Sequence, residues 1–483
     1  MPRDSLSKGE EEMSIYRPLS SSPSIILYPI ISGFLFYKAK IYAILYIAML
    51  ETFRDKTILI LGFGREGQDT FLFLRKLFPG KTLGVADTNP DLKGKIKDEN
   101  INWHLGKDYL KSLGEYDVII KTPGIPIHLP EIEKAFKLGK ITSQTKIFFQ
   151  NCPGTIIGIT GTKGKSTTTS LIYNILKQAG KNAYLIGNIG EPVLKFLDRA
   201  TKNDYFVYEL SSHQLYNMDK SPYIAILLNI YPEHLDYCKT FSEYANSKAN
   251  ITKYQTKNDY LIFDSKNKTT KSIAKKSKAV KIPINIKNIP KIIPIKDIPL
   301  MGEHNLKNVS AAIEVAKILK IPIGKIKLGV KSFEPLAHRL EKVGTFRGIT
   351  FYNDALSTIP EATIVAMNTL GKNVQTIMLG GFDRGIKFNN LAKEILKTEI
   401  KNAILFPTTG EKIWKGIMQQ SKNKTAIKSF FVDNMEDAVK IAYKNTDIGK
   451  ICLLSTASTS FSIFKDYGQK GELFKKYIKK YSR

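Results

Sequence analysis

Residues 58–77 read ILILGFGREGQDTFLFLRKL: an apolar run, a turn with glycines at Gly62, Gly64 and Gly67, and a helical stretch. Spaced as G-x-G-x-x-G between strand and helix, the glycines let the backbone turn tightly and approach a pyrophosphate. The helix that follows offers unpaired N–H groups and its positive dipole end to the anion. Asp87 ends the next apolar strand, TLGVAD, about 20 residues on, where a ribose-binding acid is expected. The stretch predicts a parallel α/β unit holding a nucleotide-type ligand. A merely tight βα turn fits the same spacing, and the nucleotide is not decided here.

The chain has 483 residues, which predicts two to four domains of about 100–200 residues. Its 43% hydrophobic and 24% charged content are globular values, but a net charge of +29 is not ordinary. Lysine is spread along the whole chain, so the charge reads as a compositional bias that favours anionic ligands. No stripe of basic and aromatic residues forms a recognisable binding module, and no nucleic-acid partner is expected. The cysteines, Cys152, Cys238 and Cys452, include no C-x-x-C pair. That argues against a disulfide framework or zinc site and for a reducing cytoplasm.

Residues 1–50 do not resemble the rest. Met1 to Pro23 is polar and Ser-rich, and Ser24 to Leu50 is apolar apart from Lys38 and Lys40. A membrane helix needs about 20 mostly apolar residues, and the two lysines interrupt this run. A membrane anchor, a poor signal sequence, and translated sequence upstream of a start at Met49 all remain open, and the last is favoured. Membrane contact is expected only if this atypical N-terminal extension is real.

Three α/β units follow in series. Residues 51–149 carry strands at KTILILGFG, TLGVAD and YDVIIKTPG; residues 150–335 carry them at TIIGIT, NAYLIGN, YFVYELSS, YIAILLNI and YLIFD. Lys266 to Pro299 reads as short strands and loops, and NLKNVSAAIEVAKIL as a closing helix. Residues 336–483 carry strands at ITFYND, VQTIMLGG, NAILFP and KICLLST. Linkers are expected near Pro153 and Pro335.

A second glycine loop opens the middle unit. GITGTKGKSTTT, Gly158 to Thr169, departs from strict G-x-x-x-x-G-K-[ST], since Ile159 stands where that pattern has its first glycine. The working parts remain: N–H groups of Gly161, Thr162, Lys163 and Gly164 to cradle phosphates, Lys165 to reach terminal oxygens, Ser166 to offer a hydroxyl to Mg²⁺, and Thr167 beside it. A triphosphate-binding domain follows. A dehydrogenase has no use for this second loop, whereas an enzyme that activates a nucleotide-bearing substrate with ATP needs both.

TGTKGKST, YELSSHQL, LNIYPEHLDY, YANSKANI, GEHNLKNVSAA, AHRLE, YNDALSTIPEA, LGGFDRG and LLSTASTSF stand in the order of the motifs of the Mur ligases. Over residues 54–483 the chain resembles that family, and most of all its D-glutamate-adding branch. The resemblance implies a Rossmann-like N-terminal domain, a P-loop ATPase-like central domain and a Rossmann-like C-terminal domain. It implies an enzyme that consumes ATP to join UDP-N-acetylmuramoyl-L-alanine to D-glutamate through an acyl phosphate; a monomer is expected.

Residue by residue, the resemblance implies that Glu209, His234 and Lys248 act with Lys165 in catalysis. Glu209, His234, Ser166 and Lys248, the last as a carbamate, would hold two Mg²⁺ ions. Asn305 and Asn308 would contact adenine; Arg339 and Asp354 would close on the phosphates and ribose. Gly64 and Arg65 would lie near the UDP pyrophosphate and Asp87 and Thr88 near the uridine. Asn188, Ser211 and Gln214 would touch the rest of that substrate. Thr358, Arg384, Ser460 and Tyr467 would surround D-glutamate. Leu356 and Ile359 stand where other members carry polar residues, and Thr456 and Ser458 where Pro and Cys are common. A ligase for another amino acid, a folylpolyglutamate synthase, an NAD-dependent oxidoreductase or nucleotide sensor, and a nucleic-acid-binding protein are the competing readings.

Overall fold

The structure, a computed structural model, describes residues 51–231 and 238–483. The chain divides into a unit of residues 1–54 and a unit of residues 55–483. Of the first, only residues 51–54 are described, so the readings made for residues 1–50 lie outside the described residues, as does His234.

Three sheets, each carrying its own helices, build the second unit. The first contains β1 (Ile58–Leu61), β2 (Leu83–Asp87), β3 (Ile101–Leu105), β4 (Val118–Lys121) and β5 (Ile141–Thr142) in the order β3-β2-β1-β4-β5. The second contains β6 (Thr155–Thr160), β7 (Asn182–Gly187), β8 (Asp204–Glu209), β9 (Ile224–Leu227), β10 (Tyr260–Phe263) and β11 (Val280–Pro283) in the order β11-β10-β9-β6-β8-β7. Both are parallel throughout. The third contains β12 (Glu341–Phe346), β13 (Ile349–Asn353), β14 (Val374–Gly380), β15 (Asn402–Phe406), β16 (Lys428–Phe431) and β17 (Ile451–Leu454) in the order β12-β13-β17-β14-β15-β16. Only the β12–β13 pair in it is antiparallel.

Helices cover both faces of such sheets, so the central strands read as unbroken apolar runs: ILIL, VIIK, IAIL, ICLL. Edge strands bury one face at most, and they are the ones whose sequence carries least signal. INWHL (β3), EKVGTF (β12) and KSFF (β16) are mostly part-exposed and carry no apolar run, and the two-residue β5 is too short to show one. Residues 266–299 differ from the expected strands and loops: Lys268–Lys276 is a helix, capped by Asn267 with Thr270 and Ala274 turned inward. Its four lysines face outward and mask that spacing.

The helices that frame the site are α1 (Arg65–Leu77), α2 (Lys165–Gln178), α3 (Phe241–Lys253), α4 (Glu303–Ile318), α5 (Ile323–Lys331) and α6 (Tyr467–Lys480). In the middle domain α2 packs between its sheet and α4 and α5. It approaches α5 so closely that a Cβ on Gly329 would lie 2.6 Å from the Ile175 Cα.

The three glycines of the opening stretch have separate work. Gly62 sits at φ +89°, and a Cβ there would stand 2.1 Å from the Thr122 hydroxyl. One on Gly67 would stand 2.1 Å from the Gly62 carbonyl, so this glycine lets α1 pack on the turn. Gly64 has nothing within 4 Å of its Cβ position and faces the open side of the turn. The division matches tight turn, ligand approach and helix packing. Gly62→Ala is expected to lower unfolding free energy by about 1–3 kcal/mol, while Gly64→Ala leaves the urea midpoint unchanged and weakens nucleotide-substrate binding. Urea denaturation and titration calorimetry separate the two effects.

Candidate active site

In open parallel sheets the loops beyond the carboxyl ends of the strands form the ligand crevice. β6 ends at Thr160, passes through Gly161–Gly164, and α2 begins with Gly164 as its cap at φ +88°. The turn is braced from β9: the Lys163 N–H donates to Asn229 Oδ1 (2.8 Å), Asn229 Nδ2 donates to the Lys163 carbonyl (2.9 Å), and the Thr162 N–H donates to the Asn229 carbonyl (2.7 Å). Lys165 Nζ folds back onto the carbonyls of Gly161 (2.9 Å) and Thr162 (3.1 Å). Thr167 is buried, and its hydroxyl has no hydrogen-bond partner among the described residues. From α4, Asn308 reaches the same turn. A Cβ on Gly164 would come within 2.6 Å of Asn308 Oδ1, and Asn308 Nδ2 donates to Asn305 Oδ1 (3.1 Å). Asn229 was not among the residues read as functional, although its position just past β9, the neighbour of the loop-bearing strand, was a usable signal.

Glu209 ends β8 beside this loop and is 1% exposed. Its Oε1 accepts from Asn188 Nδ2 (2.9 Å), and its Oε2 is buried with no partner among the described residues. Lys248, on α3, is equally buried. Its Nζ donates to the Gly161 carbonyl (3.1 Å) and Thr160 Oγ1 (3.3 Å), and lies 4.8 Å from the centre of the Tyr244 ring. Its contacts are with the phosphate-type loop itself. A solvated helix face, the ordinary place for such a lysine, is excluded.

Arg339 brings the third domain to this cleft. Its Nε is buried without a partner among the described residues, and burial lowers its proton affinity while Asp354, Glu209 and Tyr467 hold the charge. The backbone on either side is unusual, with His338 at φ +62° and Leu340 at φ +47°. Non-glycine residues in that region are strained, so neighbours must fix them. Leu340 N–H donates to Asp354 Oδ1 (3.0 Å), His338 N–H to Glu341 Oε2 (2.8 Å), and Asn353 Nδ2 contacts His338 Nδ1 (2.9 Å).

Thr358, Ser460 and Tyr467 belong to loops and a helix start around this segment, with Tyr467 packed edge-on to His338 at 6.1 Å. The Ser460 hydroxyl is buried without a partner among the described residues. Arg384 is exposed, just past the Gly380–Gly381 turn whose backbone binds the carbonyls of Thr456 and, through the next residue, Thr459.

Several residues expected at the nucleotide substrate join the first two domains. Arg65 donates to the carbonyls of Gly187 (2.8 Å) and Gly190 (3.0 Å). Glu66 Oε1 accepts from Gln214 (2.8 Å), and Asp69 accepts from the Leu194 N–H (2.9 Å) and Gln144 (2.6 Å). Ser211 and Gln214 form a reciprocal cap on the short helix Ser212–Leu215. Asp87 accepts from the Phe63 N–H (2.7 Å) and Asn89 N–H (2.9 Å), bracing the glycine turn, with Thr88 exposed beside it. Glu66, Asp69 and Gln144 were not read from sequence. They sit inside helices, where polar residues ordinarily face water.

Residues 56–142 match the family model for the Mur ligase MurD-like N-terminal domain, and residues 159–293 match that for the Mur ligase middle domain. The UDP-N-acetylmuramoylalanine-D-glutamate ligase of Acetivibrio thermocellus is 32% identical over 454 residues, covering 88% of this chain and 96% of that protein. The Pediococcus pentosaceus protein of the same name is 34% identical over 447 residues, covering 88% and 97%. The chain belongs to the Mur ligase family. Solved structures share the fold at lower identity. MurF from Acinetobacter baumannii has a TM-score of 0.56 at 14% identity over 87% of this chain and 90% of that one. MurF ligase from Thermotoga maritima, in complex with ADP, has a TM-score of 0.54 at 15% identity over 88% and 95%. The three α/β domains of this Mur ligase are thus the family's architecture.

Burial pushes the Asp354 carboxyl up to about 6, against Ser357, Ser455, the Leu340 N–H and Arg339, which favour its charged form. A raised carboxyl affinity means that between about pH 4 and 6 the folded state binds more protons than the unfolded one. Stability therefore falls as pH rises through that window. In Asp354→Asn that part of the decline is expected to vanish, as urea denaturation at a series of pH values would read.

Proposed function

We propose that this Mur ligase joins UDP-N-acetylmuramoyl-L-alanine to D-glutamate, consuming ATP. The observation that carries the reading is a convergence in one crevice: a phosphate-type loop with its lysine, a buried carboxylate and a buried lysine from the second domain, and an arginine from the third. The name shared by the curated relatives supplies the substrates. Residues 51–149 would hold the UDP end of the first substrate, 150–335 ATP, and 336–483 the acceptor.

Joining a carboxylate to an amine in water is uphill. ATP resolves this: the carboxylate attacks the γ-phosphorus, ADP leaves, and the amine displaces phosphate from the acyl phosphate through a tetrahedral adduct. Side chains have little covalent work here; they position anions and neutralise charge. The loop N–H groups and Lys165 would hold the β- and γ-phosphates, and Arg339 would offset charge on the phosphoryl group in transfer. Asn305 and Asn308 would meet adenine. Asn188 would orient Glu209, and Asp354 would fix the Arg339 backbone.

Hard oxygen donors suit Mg²⁺, which keeps several waters and takes one or two protein carboxylates. Glu209 Oε2, buried and without a partner among the described residues, fits that requirement, with Ser166 at the loop; His234, outside the described residues, enters by the resemblance alone. When bound, Mg²⁺ would neutralise phosphate charge. Lys248 as a carbamate would add a second oxygen donor; its buried Nζ, on the Gly161 carbonyl and the Thr160 hydroxyl, stands at the phosphate-type loop where such a donor is needed.

Among the described residues no helix is long and apolar enough to cross a membrane. The reading places the enzyme in the cytoplasm, as a monomer. Leu356, Ile359, Thr456 and Ser458 favour testing other acceptors. Phosphate release from ATP is expected only with UDP-N-acetylmuramoyl-L-alanine and D-glutamate together. A panel of amino acids in which another acceptor supports turnover would replace D-glutamate in this reading. Lys248→Ala is expected to lower ligation by about 10²–10³-fold, with partial rescue by added short carboxylates; full activity in that variant would remove the carbamate.

A further inference from the structure

We propose that Lys470 is a positioning residue for the acceptor amino acid, setting from inside the third domain the loop that carries Ser460. This rests on the ligase reading above.

The other lysines of α6 carry their ammonium groups at or near the surface, but Lys470, in its first turn, is 1% exposed. Its Nζ donates to Thr456 Oγ1 at 2.6 Å. That hydroxyl passes its own hydrogen to the Ser458 carbonyl at 3.0 Å. One ammonium thereby fixes a hydroxyl and, through it, a backbone turn. The turn needs fixing, since Ala457 between them sits at φ +56°, where a side chain is strained. Ser455 anchors the start of the loop on Asp354 Oδ2 at 2.8 Å, and Ser458 is tied to Thr409 at 2.7 Å.

Everything up to Ser458 is thus held from beneath. The next two hydroxyls, of Thr459 and Ser460, are buried with no partner among the described residues. Two desolvated donors in a fixed backbone suit an acceptor with carboxylate oxygens, because an unpaired buried hydroxyl is costly until a ligand satisfies it. Tyr467, three residues before Lys470 on the same helix, faces the cleft at 45% exposure. The first turn of α6 therefore serves the cleft with one residue and underpins it with another.

The charged group that acts on Lys470 is the Asp354 carboxylate after β13; Arg339 stands beside that carboxylate, and His338, which precedes β12, packs on α6 at Gly471 and Tyr467. Burial pushes the ammonium down to about 7, and Asp354 opposes the shift. Above that pH the lysine donates less strongly and the loop loosens.

The test compares Lys470→Met and Lys470→Arg with the unmodified enzyme. In Lys470→Met the KM for D-glutamate rises about tenfold or more, while the KM values for ATP and the UDP substrate stay within about threefold. Lys470→Arg restores the acceptor KM and abolishes its rise above neutral pH, since a guanidinium stays protonated there. Amide exchange of residues 455–460, measured without substrates, accelerates in Lys470→Met and not in Lys470→Arg. An unchanged acceptor KM in Lys470→Met, all three KM values rising together, identical pH profiles in the lysine and arginine enzymes, or unchanged exchange would overturn the proposal. Unmodified enzyme that ignores D-glutamate overturns the D-glutamate reading instead, and the exchange result still decides whether Lys470 holds the loop.

Discussion

A guanidinium whose inner nitrogen is out of water needs negative charge nearby, and Arg339 finds it on both sides of a domain boundary: Asp354 on its own domain and Glu209 on the next. Leaving one half of a buried charge pair uncompensated costs about 3–5 kcal/mol. The cleft is therefore a place where the two domains satisfy one another electrostatically or bring in a ligand that does. Asp354 has a double part in this. Its carboxylate faces the guanidinium, and it also fixes the Leu340 N–H that holds the arginine's backbone in place.

The first two domains meet differently. Arg65, Glu66 and Asp69, in the first turns of one helix, each contact the middle domain, and His128 on the first domain lies between Glu133 (3.2 Å) and Glu243 (2.7 Å), the latter on α3. These are direct, short and distributed along the interface. The third domain meets the second through the Arg339 field and such contacts as the Tyr352 hydroxyl on the Met301 sulfur at 3.8 Å. An enzyme that admits ATP and an amino acid must open somewhere. The weaker junction, near Pro335, is where small φ/ψ changes would cost least.

What sequence made legible follows the same physics. Central strands announce themselves because helices bury both their faces; β3, β5, β12 and β16 do not, because an edge needs little apolar surface. Both glycine loops were readable, since the steric demand at Gly62 and Gly164 admits little else. Polar residues at the domain seams were not. Glu66 and Asp69 look like solvated helix positions until the middle domain, folded from residues far along the chain, meets them through Gln214 and the Leu194 N–H. Lys470 was hidden among the many lysines of α6 because the loop that buries it, around Thr456, belongs to its own domain but to another element. The signal that a charge is buried lies in the neighbour, not in the residue.

The stretch at Ile58 shows how far local chemistry can carry an assignment and where it stops. Each glycine does what a dinucleotide turn requires, and Asp87 stands at the end of the next strand. Yet Asp87 accepts from the Phe63 and Asn89 N–H groups, and Arg65 reaches across to the middle domain. The turn is built as a rigid wall of an interdomain crevice, with Gly64 as its open point of approach. A cofactor that reacted there would need free catalytic groups beside it; the carboxylates at this turn, Glu66 and Asp69, are engaged with the middle domain, whereas Glu209 Oε2 is unpartnered among the described residues at the other loop. In this arrangement the first loop can hold a substrate by its phosphates while its reacting end extends toward the second, which is why two phosphate-type loops in one chain argue for activation of a nucleotide-linked acid and against hydride transfer.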